Sequence, residues 1–323
     1  MPELPEVQTT ATSLQPLLDQ TVEKVSVFQP KLRWAVPDDL VSLVDYQLID
    51  IERRAKYLIL TFKGGAAQKK LLIHLGMSGS LQQHPVGFDK RKHDHVILTF
   101  NDGKKLTQLH YHDPRRFGML LWLDDYEDKL ITHLGVEPLS EDFSADYLYH
   151  HIHNRKKPIE RPIKSVIMAQ EIVVGVGNIY ATESLFLSKI HPLTPAHLIS
   201  HEQLITLVAH IRQVLQTSIE KGGSTLKDFT VADGKTGYFQ QTLLVYGHKG
   251  GDCPSCGTTI ENIKINQRAS TFCPTCQPLI THKKTVKKSV KKPLKKLLKK
   301  QPLSLNVKKP AAKTILLDNS WQN

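Results

Sequence analysis

Between residues 20 and 125 apolar and polar positions alternate in short runs. TVEKVSVF, DIERRAKYLILTF, KKLLIHLGMSG, HVILTF, KKLTQLHYH and FGMLLWL each read as a strand with one buried face. Asn101-Asp102-Gly103 between two of them is a hairpin turn. About six strands on short turns predict a β-sandwich. A helix leads into it: MPELPEV sets proline early and acids against the helix dipole, and Val7, Leu14, Leu17 and Leu18 carry the apolar positions to residue 19. From about residue 128 the period becomes helical, with helices predicted over 144–153, 162–172, 178–189 and 201–221. Ser200 and Gln203 make a capping box for the last, and Gly222-Gly223 end it. The fold class is α+β and multi-domain.

A third unit follows from the cysteines. The chain has four, all in CPSCGTTIENIKINQRASTFCPTC, as two Cys-x-x-Cys knuckles with sixteen residues between them. Cys253, Cys256, Cys273 and Cys276 supply the four thiolates that tetrahedral zinc takes, and the residues between alternate enough for a short hairpin. This predicts a zinc ribbon with one Zn2+. The ion is structural, since four protein ligands leave no open position for catalysis. The alternative, two disulfides in a secreted protein, finds no support elsewhere in the chain.

Charge adds a tail. The formal net charge is +12, and residues 278–323 hold thirteen lysines against one acid, Asp318, so the remaining 277 residues sum to zero. The lysines repeat in pairs every four residues from Lys283 to Lys300. Such a segment is expected to be disordered in isolation and to condense on a polyanion. No apolar run approaches the ~18 residues of a membrane span. The N-terminus carries Glu3 and Glu6 instead of a basic leader. A cytosolic, reducing setting without membrane attachment is expected.

Several residues carry candidate chemistry. Removal of Met1 would leave Pro2 with a free secondary amine, whose reference pKa of about 7.7–8.0 leaves much of it neutral and nucleophilic. Glu3 and Glu6 lie within one turn of it and could move protons. The same residues serve equally as ordinary helix-start chemistry. Lys56 falls, by strict alternation, on the face of Leu58, Leu60 and Phe62, as a cleft-rim lysine or a snorkelling edge lysine would. Met77 in HLGMSGS and Arg115, Arg116 and Phe117 in DPRRFG sit in turns, where a cation beside an aromatic suits stacking on bases. His93-Asp94-His95 and His110-Tyr111-His112 could aim imidazoles at a metal, though no third ligand completes the set. In VVGVGNIYATESLF, Gly175 and Gly177 form a tight turn and Asn178 caps a helix, a junction able to hold phosphate. Gly234-Lys235-Thr236 fails as a P-loop because Phe229 stands at the first glycine, and His201-Glu202 fails as a zinc-protease motif because position 205 is Ile. The glycine-punctuated stretch 222–240 has the length of a functional lid.

Taken in order, MPELPEV, RRAKYL, HLGMSGS, KHDHV, DPRRFG, GVGNIYA, GGSTLKDF and the cysteine ribbon resemble the bacterial formamidopyrimidine-DNA glycosylases from residue 2 to about 277. The resemblance implies a β-sandwich catalytic domain (2–127), a helix-two-turn-helix DNA-binding domain (128–223), a lesion-capping loop (224–240), a zinc ribbon (241–277) and a basic tail (278–323). It implies a bifunctional glycosylase and abasic-site lyase of base excision repair acting on oxidised purines in double-stranded DNA. Pro2 would be the nucleophile, Glu3 the proton donor, and Glu6 a supporting carboxylate. Lys56 would transfer protons and contact phosphate, and Arg268 would serve the second elimination. Met77, Arg115 and Phe117 would fill the gap left by the extruded nucleotide, and His93, Asn178 and Arg155 would contact the DNA backbone. A cytoplasmic, nucleoid-associated bacterial monomer is expected. Two alternatives stay open: an endonuclease VIII type acting on oxidised pyrimidines, and a DNA-binding relative without activity. Gln8 departs from the glutamate many members carry, and the tail extends past the usual end; it would add non-specific DNA affinity.

Overall fold

The computed structural model describes residues 2–154, 156–222 and 243–281. Arg155, the lesion-capping stretch 224–240 and nearly all of the basic tail lie outside the described residues.

Helix α1 (Leu4–Ser13) starts the chain and ends earlier than its apolar pattern predicts. Pro16 is the reason: it has no N–H to continue the ladder and its ring would clash with the preceding turn, so a short 3-10 turn, Gln15–Leu17, follows instead. Eight strands come next: β1 (Thr21–Val27), β2 (Gln47–Arg54), β3 (Tyr57–Gly64), β4 (Ala67–His74), β5 (Ser80–Pro85), β6 (Asp94–Asn101), β7 (Leu106–His112) and β8 (Met119–Trp122). The count exceeds the expected six partly because DIERRAKYLILTF is two strands. The chain reverses at Ala55-Lys56, Arg54 pairs with Tyr57, and Ala55 takes the left-handed φ of 54°. Lys56 therefore sits in a turn, and the face assigned to it by alternation is corrected.

The strand order is β5-β7-β6-β1-β2-β3-β4-β8, but β1 and β2 share only the pair Thr21↔Gln47. Two four-stranded layers thus meet at one corner, and their inner faces close on a single core. Leu58, Leu60 and Phe62 of β3 share it with Leu98 and Phe100 of β6, and Val7 and Ala11 of α1 with Leu14 just past its end complete it. The outer face of β3 and β4 is also buried: Ile59 and Leu72 pack with Leu123, Leu130 and Ile131 beside the single turn α2 (Glu127–Leu130).

The helical part comprises α3 (Ala145–His153), α4 (Ile163–Ile167), α5 (Asn178–Leu187) and α6 (His201–Glu220). Three of these match the expected spans to within two residues. Helix α4 is half its expected length because the chain beyond it pairs with the interdomain linker instead. Val136 and Val173 form a parallel bridge, and Val174 N–H donates to the Val136 carbonyl at 3.0 Å. Leu4 of α1 is fully buried in the helical core with Ile179 and Tyr180, so one short helix carries side chains into both cores.

The ribbon is a hairpin of β9 (Glu261–Ile265) and β10 (Arg268–Phe272). Asn266 and Gln267, at φ 47° and 63°, make the left-handed two-residue turn that suits the strand twist. Among the described residues no helix is long and apolar enough to cross a membrane.

Candidate active site

Glu3 is the N-cap of α1 and is 3 % exposed. Its side chain closes a capping box on its own helix, taking the Glu6 N–H, and the same carboxylate also reaches a second helix. It accepts from the N–H groups of Gly177 (3.0 Å), Ile179 (3.0 Å) and Tyr180 (3.4 Å) at the start of α5. The N-cap of α5 is Gly177, not Asn178, and a side chain there would collide with Glu3: a β-carbon on Gly177 would lie 2.2 Å from its carboxyl carbon. The anion at this glycine turn is therefore Glu3 itself, which corrects the expectation of a phosphate site. Glu6 bonds the other way, accepting from Glu3 N–H (2.8 Å) and from the Tyr180 hydroxyl (2.6 Å), which also contacts Ser218 of α6. Pro2 is buried beside this pair.

Lys56 enters from the β2–β3 turn and is buried. Burial pushes its ammonium below the usual lysine range, Glu3 opposes that, Arg268 reinforces it, and Glu6 opposes it weakly. Burial likewise raises the Glu3 carboxyl, with Lys56 acting against the rise and Glu6 with it. Pro2 and Glu3 from the chain just ahead of α1, Lys56 from the sandwich and Arg268 from the ribbon thus converge on one place.

The residue that ties the ribbon to the helices behind this place was not singled out by sequence. Lys164 of α4 is 1 % exposed and donates at 2.8 Å to Asn178 Oδ1, Thr182 Oγ1 and Ser270 Oγ. Asn178 Nδ2 in turn donates to the Ala269 carbonyl, so the ribbon hairpin lies along the start of α5. Desolvation lowers Lys164 to about 7, against the raising influence of Glu3 and with that of Arg268. The signal available was a lysine inside the apolar run Ile163–Ile167. Between pH ~7 and the reference ~10.4 the unfolded chain holds a proton that the native chain has lost, so this residue makes stability rise with pH across that window. Lys164→Met is expected to flatten the rise, read as thermal midpoints at neutral and alkaline pH.

The void-filling candidates come from two loops that touch. Met77 (41 % exposed) and Phe117 (43 %) project outward, and the Arg115 guanidinium stacks 4.9 Å from the Phe117 ring centroid. Buried Asp113 links the loops, accepting from Ser78 Oγ (2.8 Å), Arg115 N–H (3.2 Å) and Gly118 N–H (2.9 Å). His93 borders the same place, its carbonyl accepting from Asp113 N–H. The idea of a histidine metal site is corrected. His110 and His112 hydrogen-bond the buried Asp94 carboxylate through Nδ1 at 2.9 and 2.7 Å, beside Arg91. His110 Nε2 meets Gln108 Oε1 at 3.2 Å, and no group of three histidine, cysteine or acidic ligands forms here among the described residues.

The four cysteine sulfurs lie within 4.8 Å of one another, the one metal-competent cluster among the described residues. The 253–276 and 256–273 Sγ separations are 3.9 and 3.5 Å, against the ~3.8 Å edge of a tetrahedron with Zn–S bonds of ~2.3 Å. Cys276 N–H donates to Cys273 Sγ, which turns the thiolate inward. The donor set fits one structural zinc.

A buried acid, a buried lysine and an exposed arginine meeting between three structural units make an acid–base centre open to an anionic substrate. Comparison with known proteins agrees with this class. Residues 1–120 match the family model described as formamidopyrimidine-DNA glycosylase N-terminal domain, 134–230 its H2TH domain, and 250–279 the zinc finger found in FPG and IleRS. A formamidopyrimidine-DNA glycosylase of Psychrobacter arcticus is 59 % identical over 87 % of this chain and 100 % of its own. One of Acinetobacter baylyi is 52 % identical over 86 % and 99 %. Among solved structures, a Lactococcus lactis FPG mutant in complex with a Fapy-dG containing DNA superposes with a TM-score of 0.76 at 33 % identity, covering 86 % of this chain and 100 % of that one. The MutM (FPG) protein of Thermus thermophilus gives 0.74 at 34 % identity, covering 87 % and 100 %. The chain belongs to the formamidopyrimidine-DNA glycosylase family.

Proposed function

We propose that this chain is a bifunctional DNA glycosylase and abasic-site lyase that removes oxidised purines from duplex DNA through the Pro2 amine. The observation that carries the reading is the convergence of Glu3, Lys56 and Arg268 from three units beside Pro2. In the reaction the Pro2 nitrogen bonds to sugar C1′ as the bond from C1′ to the base breaks, and the base leaves with a proton. Glu3, raised by burial, delivers a proton to the ring oxygen as the sugar opens, and the C1′–nitrogen bond becomes an iminium. Loss of a C2′ proton then expels the 3′ phosphate, and a second elimination expels the 5′ phosphate. Water returns the amine. Lys56 is a base suited to the proton steps because burial favours its neutral form. Arg268 offers a fixed positive charge to a leaving phosphate. Met77, Arg115 and Phe117 fill the stack after extrusion, which costs a few kcal/mol and least for a damaged base. His93, Asn178 and Arg155 contact the backbone. The chain works as a monomer in the bacterial cytoplasm, at the nucleoid.

A second substrate class has one observation in its favour: the Lactococcus lactis enzyme has also been solved with an oxidised pyrimidine containing DNA. Borohydride trapping separates the readings. On a duplex with one 8-oxoguanine opposite cytosine, a covalent adduct is expected that Pro2→Gly reduces at least a hundredfold. Trapping confined to oxidised pyrimidine would replace the purine reading. Intact duplex binding with no adduct would leave a binding protein.

A further inference from the structure

The turn that carries Lys56 is held from outside the sandwich. Ala55 stands in the left-handed region, which costs a residue with a β-carbon about 1–2 kcal/mol. Its N–H donates to Glu137 Oε1 at 2.7 Å, and its carbonyl accepts from Arg53 Nη1 at 3.0 Å, so the peptide groups on both sides of Ala55 are fixed. Glu137 lies in the linker between strands and helices and receives both arginines of the preceding strand. Arg54 Nη1 donates to Oε1 at 2.9 Å, and Arg53 Nη1 forms an ion pair with Oε2 at 2.7 Å, off the line of a hydrogen bond. Arg54 Nη2 also donates to the carbonyls of Leu134 and Gly135. The linker is in turn fixed to the chain that leads into α5: Gly135 N–H donates to the Gln170 carbonyl, and Val136 accepts from Val174. That chain ends at Gly177, one of the three amides on Glu3.

We propose that Glu137 is a positioning residue for Lys56, registering the β2–β3 turn of the sandwich against the segment whose end holds Glu3. The inference rests on the catalytic reading of Lys56 given above. Arg53 has a second partner, Gln8 of α1, whose Oε1 accepts from Nε at 2.8 Å. Gln8 is neutral, so among the described residues Glu137 is the one carboxylate bound to these two guanidiniums. A carboxylate introduced at position 8 would meet Arg53 at the same distance and take over part of that charge.

The test compares Glu137→Gln, the double variant Glu137→Gln with Gln8→Glu, and Lys56→Met in the full-length zinc-loaded protein. Base excision and strand cleavage are followed across neutral and alkaline pH, with KM and kcat separated. Glu137→Gln is expected to lower kcat about ten- to a hundredfold, the cost of a misplaced catalytic group, with KM for duplex changed by less than about twofold. The pH-profile limb set by Lys56 should move to higher pH, because a loosened turn rehydrates the amine. Adding Gln8→Glu should recover most of kcat and return the limb. A Glu137→Gln protein with parental kcat and pH profile, while Lys56→Met is impaired, would overturn the inference and leave the catalytic reading standing. Fully active Lys56→Met would overturn both. A kcat loss that tracks a fall in thermal midpoint, with the limb unmoved and no recovery in the double variant, would reduce Glu137 to a structural role. Should Glu137→Gln not fold, Arg54→Lys loosens the same clamp, and the limb position decides in the same way.

Discussion

Chelating the zinc, or replacing Cys273 by serine, is expected to unfold the ribbon and abolish strand cleavage on duplex DNA while the sandwich and helices stay folded. The ribbon cannot stand on its own core. Its buried cluster holds two of the cysteines, Val245, Ile260 and one side chain borrowed from α5, Phe186. Three such apolar side chains contribute about 1.5–3 kcal/mol each, whereas ordering each residue costs about 1–2 kcal/mol. A structural zinc contributes roughly 10–16 kcal/mol of apparent binding energy, which decides the balance. Arg268 loses its place with the hairpin, and Lys164 and Asn178 lose Ser270 and the Ala269 carbonyl. Circular dichroism and a cleavage assay on the chelated protein check this; full cleavage by metal-free protein would contradict it.

Glu3→Gln is expected to lower base excision by about 10²–10⁴-fold, the usual worth of a positioned acid. It should also destabilise the fold. Both carboxylate oxygens accept from the first amides of α5, and a glutamine offers one acceptor and one NH2, so at least one buried N–H would face another donor. An unmet buried donor costs about 1–3 kcal/mol, or a fall of several degrees in thermal midpoint for a protein this size. The pH dependence has a definite sign. Because burial raises the Glu3 carboxyl, the native chain keeps this proton after the unfolded chain has lost it, so its contribution to stability is present at low pH and fades as pH rises. The glutamine does not titrate, and the midpoint gap between parent and variant should narrow toward alkaline pH. A gap that widens would show that the three amide hydrogen bonds outweigh burial in the native state.

The two parts of the chain differed in how openly they announced themselves. Alternation carried the sandwich, since Leu58, Leu60 and Phe62 face one core as their spacing requires. The capping box at Ser200 and Gln203 forms as a local pattern should, because both partners lie within four residues. The ribbon was legible from four cysteines alone. What stayed hidden were choices made by distant partners. Nothing near Ala55 marks a turn; there is no glycine, proline or asparagine, and the left-handed residue is held by Glu137, 82 positions away. Helix α4 stops short because Val173 and Val174 pair with Val136, a contact outside any local window. Glu3 read as a helix-start acid for its own helix, which it is, but it serves the N-terminus of another as well. Pro2, Glu3 and Lys56 stood out by their chemistry and took their roles, with Arg268, from the resemblance, whereas Lys164 and Glu137 are visible only as contacts.

Glu183 of α5 accepts the N–H groups of Leu244, Val245 and Tyr246. Gln277 reaches from the last knuckle to the Ile190 carbonyl. Glu3 on α5, Lys164 on Ser270 and Gln277 on Ile190 join the three matched family segments to their neighbours, and Glu183 holds the stretch that leads into the last of them. The segments look like interchangeable cassettes along the chain, but a graft of any one onto a foreign neighbour would strand a buried charge or a row of amides. Homologous recombination among such proteins should therefore tolerate crossovers only where both parents keep these cross-border partners, and a chimera library scored for soluble protein would map them.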